Sequence, residues 1–314
     1  MHQRTKIYTL KTMRNFTTAL FIILSTLFFI SCDKKIDKKD AWNIGLSPCA
    51  ARPPYAAQCP VNGPYAALST SERTLKGLVL VDIQTKQTWQ HPSWSTFGSM
   101  GPICTDKSGN SYVAPVPVIN VLDNSPETQN HIYTVNGQTA LMTKLMELPF
   151  QHLPNEQNPY GLVGLHYDCH ADILFASSIL GSDKTNENGV IFIIDPIKKV
   201  VLDKLESVDA MGMAIAGVTG QKRLYFGSCR ISNVYSIEIS AENTFIGEPK
   251  FEFSLDMLGP RGDDKARKLI FKEDGTLLIK GISFEYNLAA PTEKLETNYL
   301  FQYDRSKQTW TYLN

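Results

Sequence analysis

Three groups of residues in this 314-residue chain have types and spacings that could support chemistry. His166, Asp168 and His170 fall in one short segment, and a His/Asp/His cluster can hold zinc or pass a proton. Strand alternation sends His166 and Asp168 to one face and leaves His170 in a turn, which favours a structural role. Asn158, Asp209 and Asp263 offer the oxygen donors that a hard divalent cation takes, and all three equally suit turns. Ser177, Ser178, Ser228 and Arg230 stand where apolar runs end. No Gly-x-Ser-x-Gly elbow or paired base accompanies the serines, so nucleophilic catalysis has little support.

Cys32 carries a different chemistry. Arg4, Lys6, Lys11 and Arg14 form a cationic head, and residues 20–29 form an apolar segment of signal-peptide length, too short to span a bilayer comfortably. Phe29-Ile30-Ser31-Cys32 follows and resembles the lipobox of bacterial lipoprotein signal peptides, with Phe29 where Leu is usual. The resemblance implies cleavage before Cys32 and acyl groups such as palmitate on it. Each buried methylene contributes about 0.8 kcal/mol, so several chains hold durably. The alternative is an uncleaved anchor with Cys32 as an ordinary thiol. Met13 opens an equally good signal, which leaves the start at Met1 or Met13.

Residues 33–40 hold a single apolar side chain, Ile36, and read as a solvated tether. The expected organisation is a signal peptide over 1–31, a lipidated cysteine and tether over 32–40, and a folded domain over 41–314. The expected location is the cell envelope, on the periplasmic or outer-surface side, with the membrane as a partner through the lipid. Lys and Arg total 31 against 31 Asp and Glu, and no basic stripe runs through the mature chain, so nucleic acid is excluded as the expected partner.

Beyond Cys32 remain Cys49, Cys59, Cys104, Cys169 and Cys229, an odd number that leaves at least one thiol unpaired in a monomer. Cys49 and Cys59 flank a proline-bearing loop in an oxidising compartment and are the expected disulfide; a loop of about ten residues would contribute on the order of 2 to 3 kcal/mol. The other three lack Cys-x-x-Cys spacing and read as buried structural thiols.

The elements that must position these residues announce themselves by repetition. Ile173-Leu174-Phe175-Ala176-Ser177 and Val190-Ile191-Phe192-Ile193-Ile194-Asp195 have counterparts in Ser111-Tyr112-Val113-Ala114, Arg223-Leu224-Tyr225-Phe226-Gly227 and Thr276-Leu277-Leu278-Ile279. A first copy contains Asp82-Ile83-Gln84-Thr85-Lys86-Gln87-Thr88-Trp89, echoed at the far end by Asp304-Arg305-Ser306-Lys307-Gln308-Thr309-Trp310. Both echoes predict a hairpin between third and fourth strands. Repeats of four short strands at such spacing predict an all-β propeller of five to six four-stranded blades, because one small sheet cannot bury both faces alone. Residues 41–64 or the long second repeat could hide a sixth blade. A two-sheet sandwich is the alternative. Helical signals are few: residues 138–148 fit a helix or a strand entering a turn at Pro149. The tryptophans at 42, 89, 94 and 310 read as core, with Trp94 also a candidate for sugar stacking.

Gly164-Leu165-His166-Tyr167-Asp168-Cys169 and the strands after it, together with Met211-Gly212-Met213-Ala214 before Leu224-Tyr225-Phe226-Gly227, resemble blades of the senescence-marker-protein, gluconolactonase and NHL-like propellers. Lactonases of that group hold a divalent metal at the mouth of the central channel with Glu, Asn and Asp just before the innermost strands. Here the equivalent positions are Tyr160 and Met211, which cannot ligate a hard cation.

The expected function is therefore a lipid-anchored binding or interaction module for an unidentified small-molecule, glycan or protein ligand, with no cofactor. Its candidate mouth and rim residues are Asn158, Tyr160, Ser178, Asp209, Met211, Ser228, Arg230 and Asp263. Loops over 120–130, 181–188 and 288–298 fall on one rim, where they either recognise a partner or are simply solvated. The competing expectation is a metal-dependent, lactonase-like hydrolase using Asn158, Asp209 and Asp263.

Overall fold

The computed structural model describes residues 47–61, 63–71, 75–118, 125–150, 152–218, 220–287 and 295–313. The signal segment, Cys32, the tether and Trp42 lie outside them, as do parts of the loops at 120–130 and 288–298. Among the described residues no helix is long and apolar enough to cross a membrane.

Five antiparallel sheets follow one another along the chain, each a meander of sequence neighbours. Blade 1 contains β1 (Ala66–Ser69), β2 (Val79–Asp82) and β3 (Thr88–Trp89). Blade 2 contains β4 (Met100–Thr105), β5 (Ser111–Pro115), β6 (His131–Val135) and β7 (Met142–Glu147). Blade 3 contains β8 (Leu162–Asp168), β9 (Ile173–Ser178), β10 (Val190–Asp195) and β11 (Val200–Glu206). Blade 4 contains β12 (Ala210–Ala216), β13 (Arg223–Ser228), β14 (Asn233–Ile239) and β15 (Phe245–Ser254). Blade 5 contains β16 (Lys265–Phe271), β17 (Thr276–Ile282), β18 (Thr297–Asp304) and β19 (Thr309–Leu313). The first strands lie side by side, β4 against β8, β8 against β12 and β12 against β16, which makes the array a propeller.

Among the described residues the blade count is five, not six. Residues 47–61 form a short 3-10 turn at Pro54–Ala57 and no strand. The extra length of the second repeat lies between β5 and β6 and between β7 and β8. Residues 138–148 resolve as a turn and the strand β7.

Alternation explains why the strand runs are apolar at every position. In β9, Leu174 and Ala176 enter the cluster shared with blade 2, while Ile173 and Phe175 enter the one shared with blade 4. Phe192 and Ile194 of β10 likewise face one way, and Ile191 and Ile193 the other. A strand buried on both faces reads as a continuous hydrophobic run, and one apolar cluster fills each successive seam from blades 1–2 to blades 4–5.

The echoed hairpin phrase has a physical basis present in every blade. The last-but-one strand of each blade ends at, or one residue before, Asp82, Asn136, Asp195, Ser240 or Asp304, whose side-chain oxygens accept backbone N–H groups of the following turn. Each turn then closes through a left-handed residue, Lys86, Ala140, Lys199, Asn243 or Gln308, with φ between 54° and 62°.

The cysteine pairing corrects the expectation. Cys49 is joined to Cys169, with Cα atoms 5.3 Å apart, and Cys59 is a free buried thiol donating to Tyr55 O at 3.3 Å. The intervening residues do not close a loop. Ala50 N–H bonds Asp106 O at 3.0 Å, and Tyr55 N–H bonds Gly137 O at 2.9 Å. This carries the segment along the ends of blades 2 and 3, so Cys49 reaches the blade 2–3 seam while Cys59 sinks into the blade 1–2 seam. Trp94 is also settled: it is 0% exposed and its indole N–H donates to Ala140 O at 2.7 Å, so it is core and no stacking platform.

Candidate functional site

First strands begin at one rim, here called upper, and end at the lower rim. Every predicted rim residue lies on the upper side, because the connections between blades and the second-to-third strand loops both turn there. Tyr160 and Met211 meet at the mouth with Ile179, Cys229, Ile282 and Tyr286, backed by Val116, Val163 and Phe284. Phe284 packs against Tyr160 at 5.4 Å between ring centroids, and against Tyr286 at 5.6 Å. The short segment after β17 thus lays two aromatic rings over the start of β12 and the approach to β8. The expected mouth positions Tyr160 and Met211 thus sit in an apolar plug.

Beside the plug, Asn158 and Asp209 converge on one residue, Ser182. Asn158 Nδ2 donates to Ile179 O at 2.7 Å and to Ser182 O at 2.8 Å, and its Oδ1 accepts from Tyr160 N–H at 3.0 Å. Asp209 Oδ1 accepts from Ser182 Oγ at 2.5 Å and from Gly189 N–H at 2.9 Å. Its Oδ2 accepts from Tyr286 OH at 2.5 Å and meets Arg230 at 3.5 Å. Burial pushes the Asp209 carboxyl up, against the opposing pull of Ser182, Tyr286 and Arg230. Burial, reinforced by Asp209, also raises the Tyr286 phenol.

Arg230 completes the clamp. Its guanidinium donates to three carbonyls of one turn, those of Asp183, Lys184 and Asn186, at 2.7, 2.9 and 3.1 Å. Lys184 pairs across to Glu285 at 2.9 Å. The 181–188 loop is therefore held from three blades, which an insertion with no positional role would not require. Replacing Asp209 by Ala strands Ser182 Oγ, Gly189 N–H and Tyr286 OH together. An unpartnered buried donor costs about 1–3 kcal/mol, more when charged, so Asp209→Ala should lower stability by about 3 kcal/mol and make 182–189 the first site of limited proteolysis.

The remaining predicted residues are placed apart from a common centre. Ser178 Oγ donates to Asn130 Oδ1 at 3.0 Å, and Ser228 Oγ accepts from Arg230 N–H at 3.1 Å and from Ile231 N–H at 3.4 Å. Ser177 is buried, and its hydroxyl has no hydrogen-bond partner among the described residues. Asp263 is 70% exposed and lies 4.0 Å from Lys265, whereas its neighbour Asp264 is buried under Arg261 and Tyr299. Among the described residues no group of three or more His, Cys, Asp or Glu is disposed to hold a metal ion.

The His166 cluster sits at the lower rim. Asp168 Oδ1 accepts from His170 and Ala171 N–H, placing His170 in the turn, and Asp168 Oδ2 pairs with Lys222 at 2.6 Å. His166 Nε2 accepts from Ile215 N–H at 3.2 Å. Burial, with Lys222 adding to it and Asp168 opposing, pulls this imidazole from 6.5 down to about 4. Above pH 6.5 both folded and unfolded chains carry it neutral. As pH falls from 6.5 towards 4 only the unfolded chain takes the proton, so stability should fall by about 1.4 kcal/mol per pH unit from this group. Urea midpoints measured between pH 7 and 5 should show that slope, and His166→Gln, which keeps an acceptor for Ile215, should flatten it.

Sequence reasoning missed Arg230's carbonyl grip, Tyr286 and Lys222, none of which has a motif. It located Asn158 and Asp209 because both precede first strands, but it could not foresee that they share Ser182.

Comparisons with known proteins add likeness without identity. No protein-family model matches the chain, and no curated protein matches it. Among solved structures it is similar to a protein of unknown function from Bacteroides caccae, at 10% identity over 76% of this chain and 69% of that one, TM-score 0.43. It is also similar to a chain of a nidogen/laminin complex, at 10% identity over 76% and 86%, TM-score 0.42. A third is a functionally unknown protein from Desulfotomaculum acetoxidans, at 12% identity over 77% of each chain, TM-score 0.42. The propeller assignment rests on this chain's own sheet order.

Proposed function

We propose that this protein is an exported, lipid-anchored propeller whose upper rim recognises a ligand or partner without chemistry of its own. One observation carries the reading: the oxygens that a lactonase-like site would turn towards a metal are spent internally. Asn158 Oδ1 is held by Tyr160 N–H, and both Asp209 oxygens are taken by Ser182, Gly189, Tyr286 and Arg230. The resemblance to senescence-marker-protein, gluconolactonase and NHL-like propellers then extends to blade architecture and not to activity. What remains at the rim is the 181–188 loop fixed on a rigid scaffold, the usual basis of recognition.

Purified protein should carry no stoichiometric calcium, zinc or manganese and should not hydrolyse lactones; a bound metal at one per chain with turnover would overturn the reading in favour of a hydrolase. The anchor has its own test. Mass spectrometry of the membrane fraction should find Cys32 as an acylated N-terminus, and Cys32→Ser should release the protein from membranes. An intact Cys32 thiol within a longer chain would remove the anchor.

A further inference from the structure

The connection from blade 2 to blade 3 runs over residues 148–161, against 207–209 and 255–264 for the next two. Pro149 and Phe150, near its start, line a recess at the upper end of the blade 2–3 seam. The floor is polar: Asn130 and Ser178, only 2% and 3% exposed, with Ser178 Oγ donating to Asn130 Oδ1 at 3.0 Å. The walls are aromatic, Phe150 from the connection and Phe192 from β10. The lip carries Lys204 and Glu206 of β11, paired with each other at 2.6 Å. Strand register produces this set, since Val190 pairs with both Ser178 and Glu206, and Phe192 pairs with Lys204.

Asn130 is the informative residue. Its carbonyl oxygens are both used, Oδ1 by Ser178 and the backbone O by Leu148 N–H at 3.0 Å. Its amide nitrogen has no partner among the described residues, and it is not one of the sealed unsatisfied atoms, so it opens on the recess it lines. A side chain this buried seldom leaves two donors unmade unless something external takes them. The lip charges cancel, so no net charge selects an ion.

We propose that this seam binds the edge of one uncharged, polyhydroxylated, sugar-sized ring. Hydroxyl oxygens would accept from the Asn130 amide, and the ring's C–H face would rest on Phe150. This deepens the recognition reading above and rests on it.

The test uses the full chain in a detergent without a sugar headgroup. It is titrated with neutral methyl hexosides, N-acetylhexosamines, their disaccharides and glucuronate as a charged control, read by saturation-transfer NMR and calorimetry. At least one neutral saccharide should bind with millimolar or better affinity, and monosaccharide against disaccharide separates a free sugar from the end of a glycan. Asn130→Asp, which keeps the acceptor for Ser178 and removes the donors, should weaken binding at least tenfold. Phe150→Ala should do the same from a position outside the core, so a folding defect in one variant leaves the other to decide. The proposal falls if no neutral saccharide binds, if glucuronate is preferred, or if both variants bind as the parent does. Recovery of a protein partner on the same membrane-anchored chain would then leave recognition standing and remove only the sugar.

Discussion

Breaking the Cys49–Cys169 bond should lower the stability of the folded domain by several kcal/mol, more than the loss of any single hydrogen bond described above. The two residues are 120 apart in sequence, and cross-linking a loop of that length removes denatured-chain entropy worth on the order of 5 kcal/mol in the chain-entropy account. The folded state loses something too. Residues 47–61 have no strand of their own and are held by isolated bonds at Asp106, Gly137 and Gly63 and by the packing of Tyr55, Ala56 and Cys59 against blades 1 and 2. Without the bridge this segment should fray before the blades do. Urea unfolding with and without reductant, repeated on Cys49→Ser and Cys169→Ser, measures the effect. Cys59→Ser should leave the oxidant dependence intact. A peptide map linking Cys49 to Cys59, or equal urea midpoints in both redox states, would refute the assignment.

Lys222→Met should be the most damaging single change at the lower rim. Lys222 Nζ lies 2.6 Å from Asp168 Oδ2 and 3.0 Å from Asn243 Oδ1, and the two charged side chains are 6% and 1% exposed. The pair ties the end of β8 in blade 3 to the β12–β13 turn of blade 4. Removing one member of a buried pair leaves an uncompensated charge and costs about 3–5 kcal/mol. Because desolvation offsets much of the attraction, removing both charges should be far milder. Asp168→Asn with Lys222→Met keeps an oxygen for the His170 and Ala171 N–H groups and should recover most of the loss. A double variant as unstable as Lys222→Met alone would mean that the damage comes from packing and not from charge.

The propeller is legible in the sequence because its signals are local. A strand buried on both sides carries an unbroken apolar run, as residues 173–176 of β9 and 190–194 of β10 do, and a tight hairpin needs an oxygen acceptor at its entrance, as Asp82 and Asp304 provide. Blade number was less legible. Residues 41–64 are long enough for more sheet, and for the described part, 47–61, only the bonds to Asp106 and Gly137 show it spent on crossing blade ends.

The candidate site divides along the same line. Position relative to a strand start is a local property, so Asn158, Tyr160, Asp209 and Met211 were found together at the upper rim. Their roles depend on which distant groups meet them. Tyr286 is far from Asp209 in sequence yet holds its Oδ2, and Asn130 meets Ser178 across a seam.

The chain's own order of residues determined most strand positions, the recurrence of blades and the turn chemistry, since each depends on residues a few positions apart. Folding in three dimensions assigned the partner of Cys49, set Phe284 and Tyr286 beside Tyr160 and Met211, and joined Asn158 and Asp209 to the 181–188 loop through Ser182. Those outcomes depend on contacts between blades, where the pairing of side chains follows from the stacking of sheets and leaves no periodic trace along the backbone.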